Sequence, residues 1–294
     1  MIDLMRHKVL YFIFSLVMIL PGLYYLVTSG LQFGIDFTGG AVLGYRLQTT
    51  VSNEEIKKLV SEQGLEVVSV VSTNNEYTIK TKPIEQDKIN QVKKSLTEKY
   101  GEVEELRVES VGPVIGNELK SKALMALGLS SLMIVLYIAY SFRKVPKPAS
   151  SWRFGVCAIA ALIHDVLLVV GIFAILGKFL GVEIDTLFVT ALLTIIGFSV
   201  HDTIVVFDRI RENLLKNIGR KFVMVANISV VQTLGRSLNT SLTVVFVLLA
   251  LLLFGGETIR WFVVALLIGI ISGTYSSIFN ATALLVWWEE KLGH

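Results

Sequence analysis

Six apolar tracts, each close to the length of a membrane crossing, set the terms on which this 294-residue chain can fold. A helix rising about 1.5 Å per residue needs about 20 mostly apolar residues to cross the hydrocarbon core of a bilayer. The tracts at 9–28, 123–142, 154–176, 186–207, 237–254 and 261–288 reach or approach that length and predict six transmembrane helices. Hydrophobic residues make up 53% of the chain and charged ones only 17%, too apolar a balance for a soluble domain of this size. The first tract follows Arg6, His7 and Lys8, as the core of a secretory signal would. It is longer than a typical signal core and no small-x-small cleavage pattern closes it, so it reads as a retained anchor.

Basic residues in short loops set the orientation of such a chain. Arg143, Lys144, Lys147 and Arg153 lie between the second and third tracts without an acid among them. Arg209, Arg211, Lys216, Arg220 and Lys221 lie between the fourth and fifth. The opposite short loops hold Lys178 and Arg260 beside Glu183, Asp185 and Glu257. Both termini and the basic loops are therefore expected on the cytoplasmic side, and the large polar segment on the other. Trp152, Trp261, Trp287 and Trp288 fall at tract ends, where interfacial anchors belong.

The polar segment alternates in a regular way. Residues 41–47 read as a strand, and Ser52-Asn53-Glu54-Glu55 as a capping box opening a helix that Gly64 closes. Residues 65–71 and 76–81 read as paired strands around a turn at 72–75, 85–100 as a helix closed by Gly101, and 102–111 as a last strand. The order βαββαβ is that of the ferredoxin-like split βαβ unit. The expected architecture is thus a polytopic α-helical membrane protein with six transmembrane helices and an extracytoplasmic α+β ferredoxin-like domain. Its parts are 1–29 (tip and first span), 30–122 (outer domain with linkers) and 123–294 (the remaining five spans).

Within the spans, a few ionisable residues require explanation. Asp202 lies in the fourth tract, six residues before the charged band that begins at Asp208. A carboxylate within hydrocarbon costs about 2.5–3.5 kcal/mol on insertion scales, so such residues generally pair or line a pathway. It is either a structural carboxylate capped by a neighbouring hydroxyl or a titrating site on a proton or ion route. Arg236, at the start of the fifth span with Asn239, Thr240 and Ser241, is its expected partner; the alternative is an arginine that reaches the headgroups. His164-Asp165 in the third span poses the same question, and His201 beside Asp202 is a candidate proton relay. Gly269 and Gly273 form a small-xxx-small pattern suited to close helix packing.

Other chemistries are excluded or unsupported. Cys157 is the only cysteine, so neither an internal disulfide nor a cysteine-based metal site is possible. The chain has no Walker-type loop, no His-Glu-x-x-His and no dinucleotide fingerprint. No metal, cofactor or catalytic residue is expected. The net charge of +3 lies in loops between apolar tracts and does not suggest nucleic-acid binding.

Three segments carry a family resemblance. Phe33-Gly34-Ile35-Asp36-Phe37-Thr38-Gly39-Gly40 follows the first span, and Val111-Gly112-Pro113-Val114-Ile115-Gly116 precedes the second. The third is the Asp202 span with its Asp208-Arg209-Ile210-Arg211-Glu212-Asn213 tail. With the six-span layout, these resemble the SecF family, the smaller half of the SecD–SecF complex of bacterial protein export, in the resistance-nodulation-division superfamily. The resemblance implies a non-enzymatic subunit in the bacterial inner membrane. It would use the proton motive force with a SecD-like partner, which supplies the second six-helix half, to promote preprotein translocation at a SecYEG-type translocon. It implies that Asp202 matches the family's fourth-span carboxylate and Arg236 the associated arginine; Asp165 and His201 remain further candidates on the proton pathway from the residues alone. It gives Gly34, Asp36, Gly39, Gly40, Gly112, Pro113 and Gly116 a structural role. The family commonly carries Asn before the carboxylate, where this chain has His201. Half of a proton-driven small-molecule exporter and a passive translocon scaffold are the competing expectations.

Overall fold

The structure, a computed structural model, describes residues 3–143, 145–146 and 149–292. Lys144 and Lys147, two of the expected orientation signals, lie outside the described residues. The chain divides into two compact units, Met1–Gln32 with Ala126–His294, and Phe33–Met125.

The first unit is helical. A 3₁₀ turn at Met5–His7 leads into α1 (Lys8–Thr28). After the polar insertion come α5 (Pro113–Ser141), α6 (Ser151–Leu180), α7 (Thr186–Lys216) and α8 (Phe222–Phe254). The final span is built in three pieces: α9 (Glu257–Tyr275), a π-helical segment Ser276–Asn280, and α10 (Ala281–Lys291). Among the described residues six helical stretches are long and apolar enough to cross a membrane, as expected. All six run beyond the tracts from which they were predicted, because backbone hydrogen bonding continues through polar residues that find partners. The clearest case is α8, which begins at Phe222 rather than near Ser237. Asn227, Ser229 and Thr233 on that added stretch are all buried.

The third, fourth and last spans form the centre of the unit. Half of the most apolar window of α7 is buried against 6% of that of α5, whose sides remain open. Phe142, Phe154 and Phe207 stack at one end with ring centroids 5.1–5.9 Å apart, and Phe173 meets Phe188 at 4.5 Å. Close contact of α9 with α7 depends on its small residues. A Cβ on Gly269 would lie 2.3 Å from Ile195 Cδ1, and one on Gly273 3.4 Å from Ser199 Cβ. The small-xxx-small pattern thus lies on the face that sets the α7–α9 register.

The second unit contains α2 (Ile35–Thr38), β1 (Gly40–Leu47), α3 (Asn53–Glu62), β2 (Val67–Thr73), β3 (Glu76–Thr81), α4 (Gln86–Tyr100) and β4 (Val103–Val111). The sheet is antiparallel throughout in the order β2-β3-β1-β4, the ferredoxin-like arrangement expected from the element order. Ser52 Oγ accepts from the Glu55 amide at 3.2 Å, as a helix N-cap should. Asn74 and Asn75 both have positive φ, the two-residue turn that matches the twist of a β2–β3 hairpin. Leu43, Tyr45, Ile56, Val60, Ile79, Val92 and Leu96 form the core.

Two of the quoted motifs meet here. Gly39 has φ +72°, and a Cβ there would lie 3.0 Å from Pro113 Cα; a Cβ on Gly116 would lie 3.0 Å from the Gly39 nitrogen. The Gly39-Gly40 and Gly112–Gly116 segments, far apart in sequence, therefore pack backbone to backbone where β1 starts and β4 ends. Gly34 caps α2, whose Thr38 hydroxyl bonds the Gly34 carbonyl at 3.0 Å.

Candidate functional site

A belt of hydroxyl groups crosses the middle of the helical unit and holds two buried carboxylates. Asp202 on α7 is 2% exposed. Its Oδ2 accepts from Ser241 Oγ of α8 at 3.5 Å and from Thr274 Oγ1 of α9 at 3.4 Å, while those two hydroxyls lie 2.5 Å from each other. His201 Nδ1 stands 3.6 Å from Asp202 Oδ1, with its ring turned outward and 63% exposed. All of these contacts are long for bonds to a carboxylate, so Asp202 is buried yet loosely held.

Asp165 on α6 is held more tightly. Ser199 Oγ donates to its Oδ2 at 2.5 Å and Ser276 Oγ at 2.7 Å, while Ser272 Oγ reaches Oδ1 at 3.4 Å. His164 Nδ1 is 2.9 Å from the same Oδ1. Further hydroxyl contacts tie α7 to the last span between the two carboxylates. Thr203 Oγ1 lies 2.9 Å from Ser277 Oγ, which donates to the Ser199 carbonyl at 2.8 Å. A hydroxyl can donate to a carboxylate or accept from a carboxylic acid, so the belt can serve both protonation states.

Arg236 is not the direct partner of Asp202. Asn213 bonds Ser229 Oγ and Gln232 Oε1, both at 2.9 Å, and this latch sets the antiparallel register of α7 and α8. With Asp202 opposite Ser241, Arg236 stands opposite residues 207–208, five residues or about 7.5 Å along α8. Its side chain is exposed and lines a polar vestibule of about 410 Å³ with Asp208, Arg209, Arg211 and Glu212. Among the described residues it forms no ion pair; Arg211 pairs with Asp208 at 2.5 Å and Arg209 with Glu212 at 2.7 Å. The charged tail of α7 is therefore largely self-neutralised, and its Asn213 ties it to α8.

The sequence reading passed over Thr274, Ser276, Ser277 and Asn280. The signal was present: Ser272, Thr274, Ser276, Ser277 and Asn280 crowd one apolar span. Glu289, which is 0% exposed and salt-bridged to Arg153, one of the basic orientation signals, is a further buried carboxylate outside that reading.

Comparison with known proteins gives the family. The family described as "Protein export membrane protein SecD/SecF, C-terminal" matches residues 91–291, and the "SecD/SecF GG Motif" matches residues 24–51. The chain is 50% identical to the protein translocase subunit SecF of Thermobaculum terrenum over 99% of its own length and 95% of that protein. It is 43% identical to the SecF subunit of Anaerolinea thermophila, again over 99% and 95%. The crystal structure of SecDF, a translocon-associated membrane protein from Thermus thermophilus, superposes with a TM-score of 0.84 at 34% identity. That match covers 98% of this chain but 39% of the SecDF chain, so this chain corresponds to one part of the larger protein. On its sequence, its fold and its solved relatives alike, the chain belongs to the SecD/SecF family of protein export membrane proteins.

Proposed function

We propose that the chain is the SecF-type subunit of a proton-driven complex that promotes preprotein translocation and release at a SecYEG-type translocon. A SecD-like partner supplies the other six-helix half. The observation that carries this reading is the Asp202 site: a buried carboxylate with only long hydrogen bonds, one residue from an outward-facing polar stripe. Thr190, Thr194, Gly197 and His201 are exposed on α7 at the three-to-four-residue spacing of one helix face. Arg236, Asn239 and Thr243 are exposed on α8. Polar side chains at membrane depth belong against protein or water rather than lipid, so this stripe is where the second half packs. It also gives Arg236 and His201 a site completed by the partner.

In the cycle, protonated Asp202 is neutral and sits within the hydroxyl belt. On ionisation it draws in water and the positive field of Arg236, and α7 and α8 repack against the partner. Each proton crossing supplies about 2.3 kcal/mol per 100 mV, enough to bias two packings of a helix bundle. Asp165 and His201 take part in the same pathway. The basic loops support a bacterial inner-membrane orientation with both termini cytoplasmic and the 30–122 domain outside, where it contacts SecD or the emerging chain. Export driven by an imposed proton gradient in proteoliposomes tests this reading. Asp202→Asn and Arg236→Ala should each abolish the gradient-dependent stimulation; stimulation at the wild-type level in both would rule the mechanism out.

A further inference from the structure

Asp165 is buried to 1%, yet its neighbour His164 reaches the edge of the bundle. His164 lines a cleft of about 330 Å³ between α1, α6 and α9, whose lip carries exposed Phe14 and Ile271, and a second cavity of about 120 Å³ with Ser15 and Asn280. It is the one base on either wall. Its Nδ1 meets Asp165, and its Nε2 lies 3.3 Å from the Asn280 amide nitrogen, which also donates to Ser15 Oγ at 2.5 Å. A donor at Nε2 leaves the proton of the neutral ring on Nδ1, pointing at Asp165. Asn280 is 7% exposed, and its Oδ1 has no hydrogen-bond partner among the described residues.

The two ends of this pair are gripped by one element. Ser276 opens the π-helical segment and donates to Asp165; Asn280 closes it and donates to His164. Single π turns inside α-helices recur at functional sites because they are an alternative hydrogen-bonding state of the same chain.

We propose that His164, Asp165 and the π-helical segment Ser276–Asn280 form a second protonation site, loaded from the cleft between α1, α6 and α9, whose charge state is read by the last span. A proton arriving from the cleft binds Nε2, and the Nδ1 proton passes to Asp165 Oδ1. The ring is left neutral with its hydrogen on Nε2. Asn280 then turns its amide so that Oδ1, idle until then, accepts from Nε2. Asp165, now carrying the hydrogen on Oδ1, donates a hydrogen bond back to the bare Nδ1, and the loss of its negative charge weakens the bonds that Ser199 and Ser276 donate to Oδ2. Both changes fall on the π segment and bias it toward regular helix. Among the described residues the groups facing the pair are hydroxyls, of which only the Tyr275 phenol is titratable: α7 presents Ser199, α9 presents Ser272 and Tyr275, and α1 presents Ser15.

The inference rests on the proton-driven reading, and its test separates the two. In the full chain in lipid vesicles, ring-nitrogen NMR signals of labelled histidine are followed against pH, with His164 assigned by its loss in His164→Gln. The Asn280 amide signal should change at the same midpoint as His164. Asp165→Asn should move that midpoint, as should Ser276→Ala, which leaves both titrating groups in place. An Asn280 amide that stays unchanged through the His164 transition, or a midpoint indifferent to both variants, would overturn the proposal. In proteoliposomes containing the SecD-like partner, His164→Gln and Asp165→Asn should cut gradient-driven export roughly a hundredfold or more, the scale of a lost proton-transfer group. Wild-type export in these two variants, with Asp202→Asn inactive, would overturn this proposal and the part given to Asp165, leaving the Asp202 mechanism standing. Wild-type export in Asp202→Asn would instead overturn the proton-driven reading, leaving the NMR result to decide the second site.

Discussion

The Arg153–Glu289 ion pair offers a quantitative test of how the ends of the third and last spans are tied together. Glu289 is completely buried and Arg153 is 12% exposed, so both charges are largely desolvated. Removing one partner of such a pair costs about 3–5 kcal/mol, because the remaining charge stays behind in a poor solvent. The two ends are not equivalent. Arg153 is the third residue of α6, and its long side chain can rise toward the headgroups when Glu289 is lost. Glu289 sits inside α10, packed on all sides, and has no such escape. Arg153→Met should therefore reach the upper part of that range and Glu289→Gln fall below it, at about 1–3 kcal/mol. The double variant Arg153→Met/Glu289→Leu should recover most of the loss, since an apolar pair of similar volume replaces a buried ion pair at little cost. Reversible unfolding of the full chain in mixed micelles, followed by helicity, measures these variants, with Glu289→Leu alone added to close the cycle. Equal losses in the two single variants, or a double variant whose loss is their sum, would refute the reasoning.

Three further predictions follow from packing and burial. Gly39→Val forces a β-branched residue into φ +72° against Pro113, and should cost the sheet domain about 1–3 kcal/mol, read as faster amide exchange along the β1–β4 ladder. Gly269→Val should destabilise the bundle by about 1–3 kcal/mol through overlap with Ile195, and Ile195→Ala in the same chain should restore part of it in a double-mutant cycle. Tyr45 is fully buried with no hydrogen-bond partner for its hydroxyl among the described residues, and burial, then the Glu105 charge, pushes its phenol up to about 12. The folded domain thus holds this proton more tightly than the unfolded chain. Stability is full below the ordinary phenol range near pH 10 and falls by about 2–3 kcal/mol toward pH 12. Tyr45→Phe should remove that component of the alkaline loss and leave the domain no less stable at neutral pH; an unchanged alkaline melting curve would contradict it.

Much of the fold could be read from the sequence because the relevant physics is local. A run of apolar residues must become a helix in lipid, since no water is present to satisfy its backbone. The sheet domain followed from alternation, a capping box and a turn at 72–75, each of which acts over a few residues. Asp202 stood out for the same reason: a carboxylate in an apolar tract is anomalous whatever surrounds it. Less could be read where partners lie far apart in the chain. Arg236 could be named as a partner for Asp202 from its place at the start of the fifth span, but the latch at Asn213 sets a register that puts it five residues away. The serine cage around Asp165 draws on three separate elements, and no spacing within one helix announces it.

The sequence by itself determined the number of spans, the order of the sheet domain's elements and the presence of two carboxylates that needed partners. Those follow from hydropathy and short-range propensity, which each segment carries alone. Tertiary structure decided which groups those carboxylates meet and how tightly. The approach of α9 to α7 at Gly269 and Gly273 sets the depth at which Thr274, Ser276 and Asn280 arrive, and the π turn sets their direction. Helix register depends on side-chain shapes across an interface, and only packing brings those shapes together.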